Sequence, residues 1–214
     1  MIQIKRFSFL ANCYVVSDDT GECVIIDPCA RFRRHRENLK HFITKEQLKP
    51  VRCLLTHGHY DHLLSSDLVR DQYGLYPEIH HGDQPWMARV ETRIEEVFGK
   101  GNFNHDIVLP QHYLNDDEII QFGHHELKVI HTPGHSPGSV VYYCEEEKVA
   151  FTGDTLFKCD IGRSDLLFGW EVDLMLSLES LMSLLPDDCV IWPGHDLEST
   201  IGYEKENNPF LKKR

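Results

Sequence analysis

No stretch of this chain approaches the roughly 18 consecutive apolar residues that a membrane span needs, so no transmembrane helix is expected. The first residues, Met1-Ile2-Gln3-Ile4-Lys5-Arg6-Phe7, alternate like a strand and do not form a leader, which makes a cytoplasmic location the expectation. Basic residues are scarce. Lys and Arg number 22 against 34 Asp and Glu, a formal charge of −12, which argues against phosphate backbones and hence against nucleic acid as a partner. The one basic run, Arg31, Arg33, Arg34 and Arg36, reads as a solvated loop entering a helix. The seven cysteines form no Cys-x-x-Cys pair and sit mostly in apolar strand contexts, so they read as reduced thiols and not as a disulfide frame. Low-complexity tracts and clear internal repeats are missing as well.

What the chain has in quantity is histidine, 14 in 214 residues. Four potential ligands fall in Thr56-His57-Gly58-His59-Tyr60-Asp61-His62, directly after the apolar run 51–55, which reads as a buried strand. So many imidazole and carboxylate groups are costly to bury together unless a cation takes up their lone pairs. The spacing splits them into two pairs, His57 with His59 and Asp61 with His62, and each pair needs further ligands from elsewhere. His135, Asp154 and His195 are the candidates. Each follows a short strand through a Gly, in Pro133-Gly134-His135, Thr152-Gly153-Asp154 and Pro193-Gly194-His195, so that a rigid sheet presents all three at its edge. The remaining histidines, among them His80, His81, His125 and His131, read as solvated or hydrogen-bonded. Asp27, ending the strand before Pro28, is either a ligand-orienting carboxylate or a plain turn residue.

This ordered set, His-x-His-x-Asp-His followed by Gly-His, Gly-Asp and Gly-His, resembles the metallo-β-lactamase-fold hydrolase superfamily. Within it the chain is similar to the glyoxalase II group in its short bacterial form, from Asp27 to Asn208-Pro209-Phe210. The resemblance implies an α/β fold, an αββα sandwich of two mixed sheets with helices outside. Residues 1–214 are expected to form one domain, without the C-terminal helical domain of the long forms. It also implies that His57, His59 and His135 hold one divalent metal ion, that Asp61, His62 and His195 hold a second, and that Asp154 bridges them. Two cations could then share a hydroxide as nucleophile, with Asp61 helping to hold or deprotonate the water. Five imidazoles and two carboxylates suit zinc, while iron and manganese accept the same donors.

The activity implied is hydrolysis of a small-molecule thioester such as S-D-lactoylglutathione, with Arg163 in Asp160-Ile161-Gly162-Arg163 as anchor for a substrate carboxylate. Pairing of Arg163 with Asp160 or Asp165 is the competing reading. A mononuclear Fe(II) persulfide dioxygenase using His57 or His59 with His135 and Asp154, a lactonase or other ester hydrolase, and a non-catalytic metal-binding scaffold are the alternatives. Oligomeric state is not legible.

Periodicity places strands at 4–9, 13–16, 23–26, 51–55, 77–81, 119–120, 126–130, 139–143, 149–151 and 190–192. Helices are expected at 36–47, 63–72, 85–98 and 171–184, with Trp86, Val90, Ile94 and Val97 sharing the apolar face of the third.

Overall fold

The computed structural model describes residues 1–212. Its first six-stranded sheet runs in chain order through β1 (Gln3–Ser8), β2 (Asn12–Ser17), β3 (Glu22–Ile26), β4 (Lys49–Leu54), β5 (Pro77–His80) and β6 (His112–Leu114). The first three strands pair antiparallel, and β3 through β6 pair parallel. The later residues give β7 (Ile119–Phe122), β8 (His125–His131), β9 (Val140–Cys144), β10 (Val149–Gly153), the small hairpin β11 (Leu156–Phe157) with β12 (Asp160–Ile161), then β13 (Val190–Pro193) and β14 (Ser199–Thr200). The second sheet is ordered β14-β13-β10-β9-β8-β7, with β10 and β13 parallel and the other pairs antiparallel.

Residue alternation builds the layers, because successive side chains of a strand point to opposite faces. Tyr14, Val16, Val24 and Ile26 meet Leu127, Val129, Val140, Tyr142 and Phe151 in a core between the two sheets. Their neighbours Cys13, Val15, Cys23 and Ile25 face outward onto Leu39 and Ile43 of α1 (Arg33–Lys45) and Leu68 and Val69 of α2 (Ser66–Tyr73). On the far side Val141, Tyr143 and Ala150 face Leu174, Leu178 and Leu181, one stripe of the long helix Glu171–Leu184. The result is helix, sheet, sheet, helix, as the resemblance implied. Each fully buried Leu or Ile contributes about 1.5–3 kcal/mol by transfer alone. Two buried tyrosines cross the inter-sheet core, Tyr142 donating its hydroxyl to Leu55 O (2.6 Å) and Tyr14 to Pro193 O (2.6 Å). They pin the two strand ends that lead to His57 and His195.

The structure corrects several expectations. The helix expected at 85–98 is two pieces, α3 (Gln84–Met87) and α4 (Val90–Phe98), separated at Ala88-Arg89. The apolar spacing continues through the break, but Val97 faces solvent while Trp86, Val90 and Ile94 are buried. The next helix, expected from 63, starts at Ser66, because Ser65 N–H bonds Pro28 O and its hydroxyl accepts from Ala30 N–H. The basic run is not a solvated loop: Arg33, Arg34 and Arg36 lie on α1, and Arg36 grips the Asp67 carboxylate through two bonds of 3.0 and 2.7 Å. His80 is hydrogen-bonded as expected, its Nδ1 accepting Gly82 N–H (3.2 Å), but it is also buried and stacked on His131. The strand β6 and the β11–β12 hairpin were not anticipated; both are too short to show a period. The remaining helices are α5 (Glu171–Leu184), packed as described, and α6 (Ile201–Asn207). Among the described residues, no helix is long and apolar enough to cross a membrane, and all seven cysteines are free.

Candidate metal centre

All seven ligand candidates converge at one edge of the two sheets. His57 and His59 lie on the segment leaving β4, and Asp61 and His62 on the 3-10 turn Tyr60–His62 that follows. His135 comes from the turn between β8 and β9, Asp154 from the end of β10, and His195 from the end of β13. Three donor sets have ligand atoms within 4.8 Å of one another: His57, His59 and His135; His57, His62 and Asp154; Asp61, His62 and His195. His135 Nε2 is 2.8 Å from His59 Nδ1 and 3.3 Å from His57 Nε2. Asp154 lies between the sets, Oδ1 3.4 Å from His62 Nε2 and Oδ2 3.5 Å from both His135 Nε2 and His195 Nε2. The second carboxylate, Asp61, is 3.6 Å from His195 Nε2.

Hydrogen bonds on the far side of the rings fix their tautomers. His62 Nδ1–H donates to Asp27 Oδ2 (2.9 Å), and His135 Nδ1–H to the Arg163 carbonyl (2.8 Å). Thr56 donates its hydroxyl to Asp27 Oδ2 (2.7 Å), which leaves its oxygen to accept from His57 Nδ1–H (3.1 Å). In the neutral rings each Nε2 is therefore a bare lone pair, and all three lie within 4.0 Å of the Asp154 carboxylate. His62 Nε2 and Asp154 Oδ1 are buried there without a hydrogen-bond partner. Lone pairs and carboxylate oxygens at these separations repel unless a proton or a cation lies among them, so the donor set fits divalent metal ions. Asp27 is thus an orienting carboxylate and not a plain turn residue.

Electrostatics shows the same strain. Burial drives His57 well below the ordinary imidazole range and His59 down to about 3, with neighbouring imidazoles adding to the effect. Burial also opposes charge on His62 and His195, but Asp154, Asp27 and Asp61 outweigh it at His62, raised to about 9, and Asp154 and Asp61 do so at His195, raised to about 10. Burial opposes ionisation of Asp154 too, yet His62, His195 and His135 hold its carboxyl well below the usual range.

One supporting residue was missed in the sequence. Asp83, fully buried, accepts Gly58 N–H (2.6 Å) and the Ser136 hydroxyl (2.7 Å) on Oδ2, and Gly138 N–H (2.6 Å) on Oδ1. It therefore clamps the His57-Gly58-His59 segment to the His135 turn. Burial raises its carboxyl pKa, with the three donors pulling it back. Its only sequence signal was an acidic residue among turn formers, which is no signal at all. Gly194 has a definite reason: a Cβ there would overlap Asp154 Oδ1 and crowd His62 Cε1.

A cleft of about 620 Å³ opens over the cluster, bounded by Tyr60, Trp86, Arg89, Arg93, Phe157 and Leu167 among others. Arg163 also borders it. Its guanidinium is exposed and doubly bonded to Asp165 (3.0 and 3.1 Å), so pairing with Asp165 describes its side chain, while its carbonyl orients His135.

The sandwich with its edge-on histidine and aspartate cluster is that of a known hydrolase class: the chain belongs to the metallo-beta-lactamase superfamily, whose sequence profile matches residues 8–195. It is a metallo-hydrolase of that fold. The hydroxyacylglutathione hydrolase GloC of Haemophilus influenzae is 35% identical over 208 residues, covering 97% of this chain and 95% of the relative. Among solved structures, the BLEG-1 B3 metallo-beta-lactamase superposes with a TM-score of 0.85 at 34% identity, over 99% of this chain and 100% of that one. TTHA1623, solved in a di-iron-bound form, does so with a TM-score of 0.83 at 32% identity, over 98% and 100%.

Proposed function

We propose that the protein hydrolyses small-molecule acyl thioesters, with S-D-lactoylglutathione as the representative substrate. The observation that carries this reading is the convergence of three tautomerically fixed Nε2 lone pairs around the Asp154 carboxylate beneath an open cleft. His57, His59 and His135 would hold one cation and Asp61, His62 and His195 a second, with Asp154 between them; zinc is our assignment, and the di-iron form of a similar structure supports iron as an alternative. When bound, such cations acidify water towards neutral pH and act as Lewis acids on a carbonyl.

The chain's own groups supply the rest. Asp61, part-exposed on the cleft side, can accept a proton from attacking water, and its 3.6 Å approach to His195 keeps the carboxylate oriented. Asp27, Thr56 and the Arg163 carbonyl hold three imidazoles in one tautomer, so the geometry does not reorganise during the reaction. A thiolate is a good leaving group, so no strong general acid is required of the cleft, and thioesters suit it better than amides. The 35% identity to the GloC relative supports the glutathione thioester in particular.

The test is turnover of S-D-lactoylglutathione by protein whose metals have been counted, beside His57→Ala. Metal-dependent hydrolysis lost in the variant is expected. Hydrolysis retained in metal-depleted protein overturns the mechanism, and a single bound iron with oxygen uptake on a persulfide replaces it by the oxygenase.

A further inference from the structure

The cleft has a cationic wall that the metal cluster does not use. Arg89, at the break between α3 and α4, and Arg93, one turn further, both border it. Arg93 N–H bonds Arg89 O (2.9 Å), so the two residues stand an i,i+4 step apart on the same helical face. Like charges so placed repel, and a cation at the start of a helix is disfavoured further by the helix dipole. Arg93 is answered by Glu96 (3.0 Å), an exposed pair of little strength. The backbone of Arg89 is bonded within the turn, but its guanidinium has no hydrogen-bond or ion-pair partner among the described residues. An unanswered guanidinium bordering the same cleft as the candidate metal ligands is notable in a chain of formal charge −12. The third arginine of the cleft, Arg163, is neutralised by Asp165.

We propose that Arg89, assisted by Arg93, is the subsite for an anionic group on the thiol half of the substrate, a carboxylate in the case of a peptide-like thiol. This rests on the thioesterase reading and sharpens it. The guanidinium of Arg89 takes the carboxylate through parallel N–H bonds, and the neighbouring charge of Arg93 adds to the attraction for an anion. Substrate choice is then set by charge on the leaving thiol as well as by the acyl group. Arg163, the sequence's candidate anchor for a substrate carboxylate, borders the same cleft with its guanidinium on Asp165, whereas Arg89 at the α3–α4 break and Arg93 in α4 form this subsite.

The experiment compares wild type, Arg89→Ala and Arg89→Glu on S-D-lactoylglutathione and on the uncharged N-acetylcysteamine thioester of the same acid. The ratio of kcat/KM for the anionic over the uncharged thioester is expected to fall about tenfold in Arg89→Ala, the size of one charge-assisted hydrogen bond, and further in Arg89→Glu. The loss should lie in KM and shrink at high salt. An unchanged ratio overturns the subsite. If wild type turns over neither thioester, the thioesterase reading fails by itself, and equilibrium binding of S-methylglutathione to metal-loaded protein decides the subsite. Binding weakened about tenfold in Arg89→Glu sustains it; equal binding by both proteins, or none by wild type, overturns it.

Discussion

Asp83→Asn tests whether the clamp between the two ligand-bearing segments is what holds them. The amide has the size of the carboxylate but one oxygen where Asp83 has two. If that oxygen takes the place of Oδ2, serving Gly58 N–H and the Ser136 hydroxyl, the NH2 group must face Gly138 N–H, donor against donor. One charge-assisted bond worth about 1.5–3 kcal/mol is lost, and an unsatisfied buried donor adds about 1–3 kcal/mol. The amide escapes the penalty of a buried charge, the same penalty that raises the Asp83 pKa, so the net cost is set at about 3 kcal/mol. At about 2–4 °C per kcal/mol for a chain of this length, Tm should fall by about 6–12 °C. Thermal unfolding in chelator removes any contribution of bound metal, and a parallel metal titration should show weaker binding by the set containing His57, His59 and His135. Ser136→Ala, which deletes one bond of the three, should lose about 1–2 kcal/mol. A loss below about 0.5 kcal/mol in Asp83→Asn, with unaltered metal affinity, would refute the clamp.

Other outcomes follow from the same geometry. Gly194→Ala pushes a methyl group against Asp154 and His62, so it should fold yet bind metal at least tenfold more weakly, measured by competition with a chromophoric chelator. Asp18 is buried; burial alone would raise its pKa, but bonds from Thr20, His124 N–H and His125 depress it to about 2. A depressed carboxylate contributes stability that is complete above its unfolded pKa near 4 and is lost as pH falls towards 2, so Asp18→Asn should flatten the acid limb of a stability–pH curve. A limb as steep as that of wild type contradicts this. Metal loading of chelator-treated protein at neutral pH should release protons, because His62 and His195 are raised to about 9 and 10 and must give them up to bind a cation. Unbuffered pH-stat titration reads the number directly, and a value of zero would mean that burial outweighs the carboxylates and leaves these rings neutral before metal binds.

The cluster was legible in the sequence because each ligand follows a short apolar strand and most follow a Gly, a local pattern that needs no tertiary knowledge. His57, His59, Asp61, His62, His135, Asp154 and His195 do come together. The layers were not legible in periodicity, because in 13–16, 23–26 and 139–143 neighbouring side chains serve different cores and both faces are apolar; the sandwich was implied by the resemblance alone. Asp83 was not legible either, because its meaning lies in backbone N–H groups 25 and 55 residues away. Nor was the break at Ala88-Arg89, where the apolar spacing runs on while the helix stops. For Arg163 the sequence left two readings, and pairing with Asp165, two residues away, is the one its exposed side chain makes here.

The order of strands in the two sheets makes the cluster a seam. Residues up to β6 build one sheet and those from β7 onward the other, so the chain is two consecutive halves laid face to face. Every donor set takes two ligands from the first half and one from the second. A cation bound by any of them would stitch the halves together across a boundary otherwise held by side-chain packing, hydrogen bonds and ion pairs such as Arg6–Glu198. Two fragments divided in the turn between β6 and β7 should therefore associate more tightly with divalent metal than without it, and the reconstituted pair would report metal concentration through its own assembly.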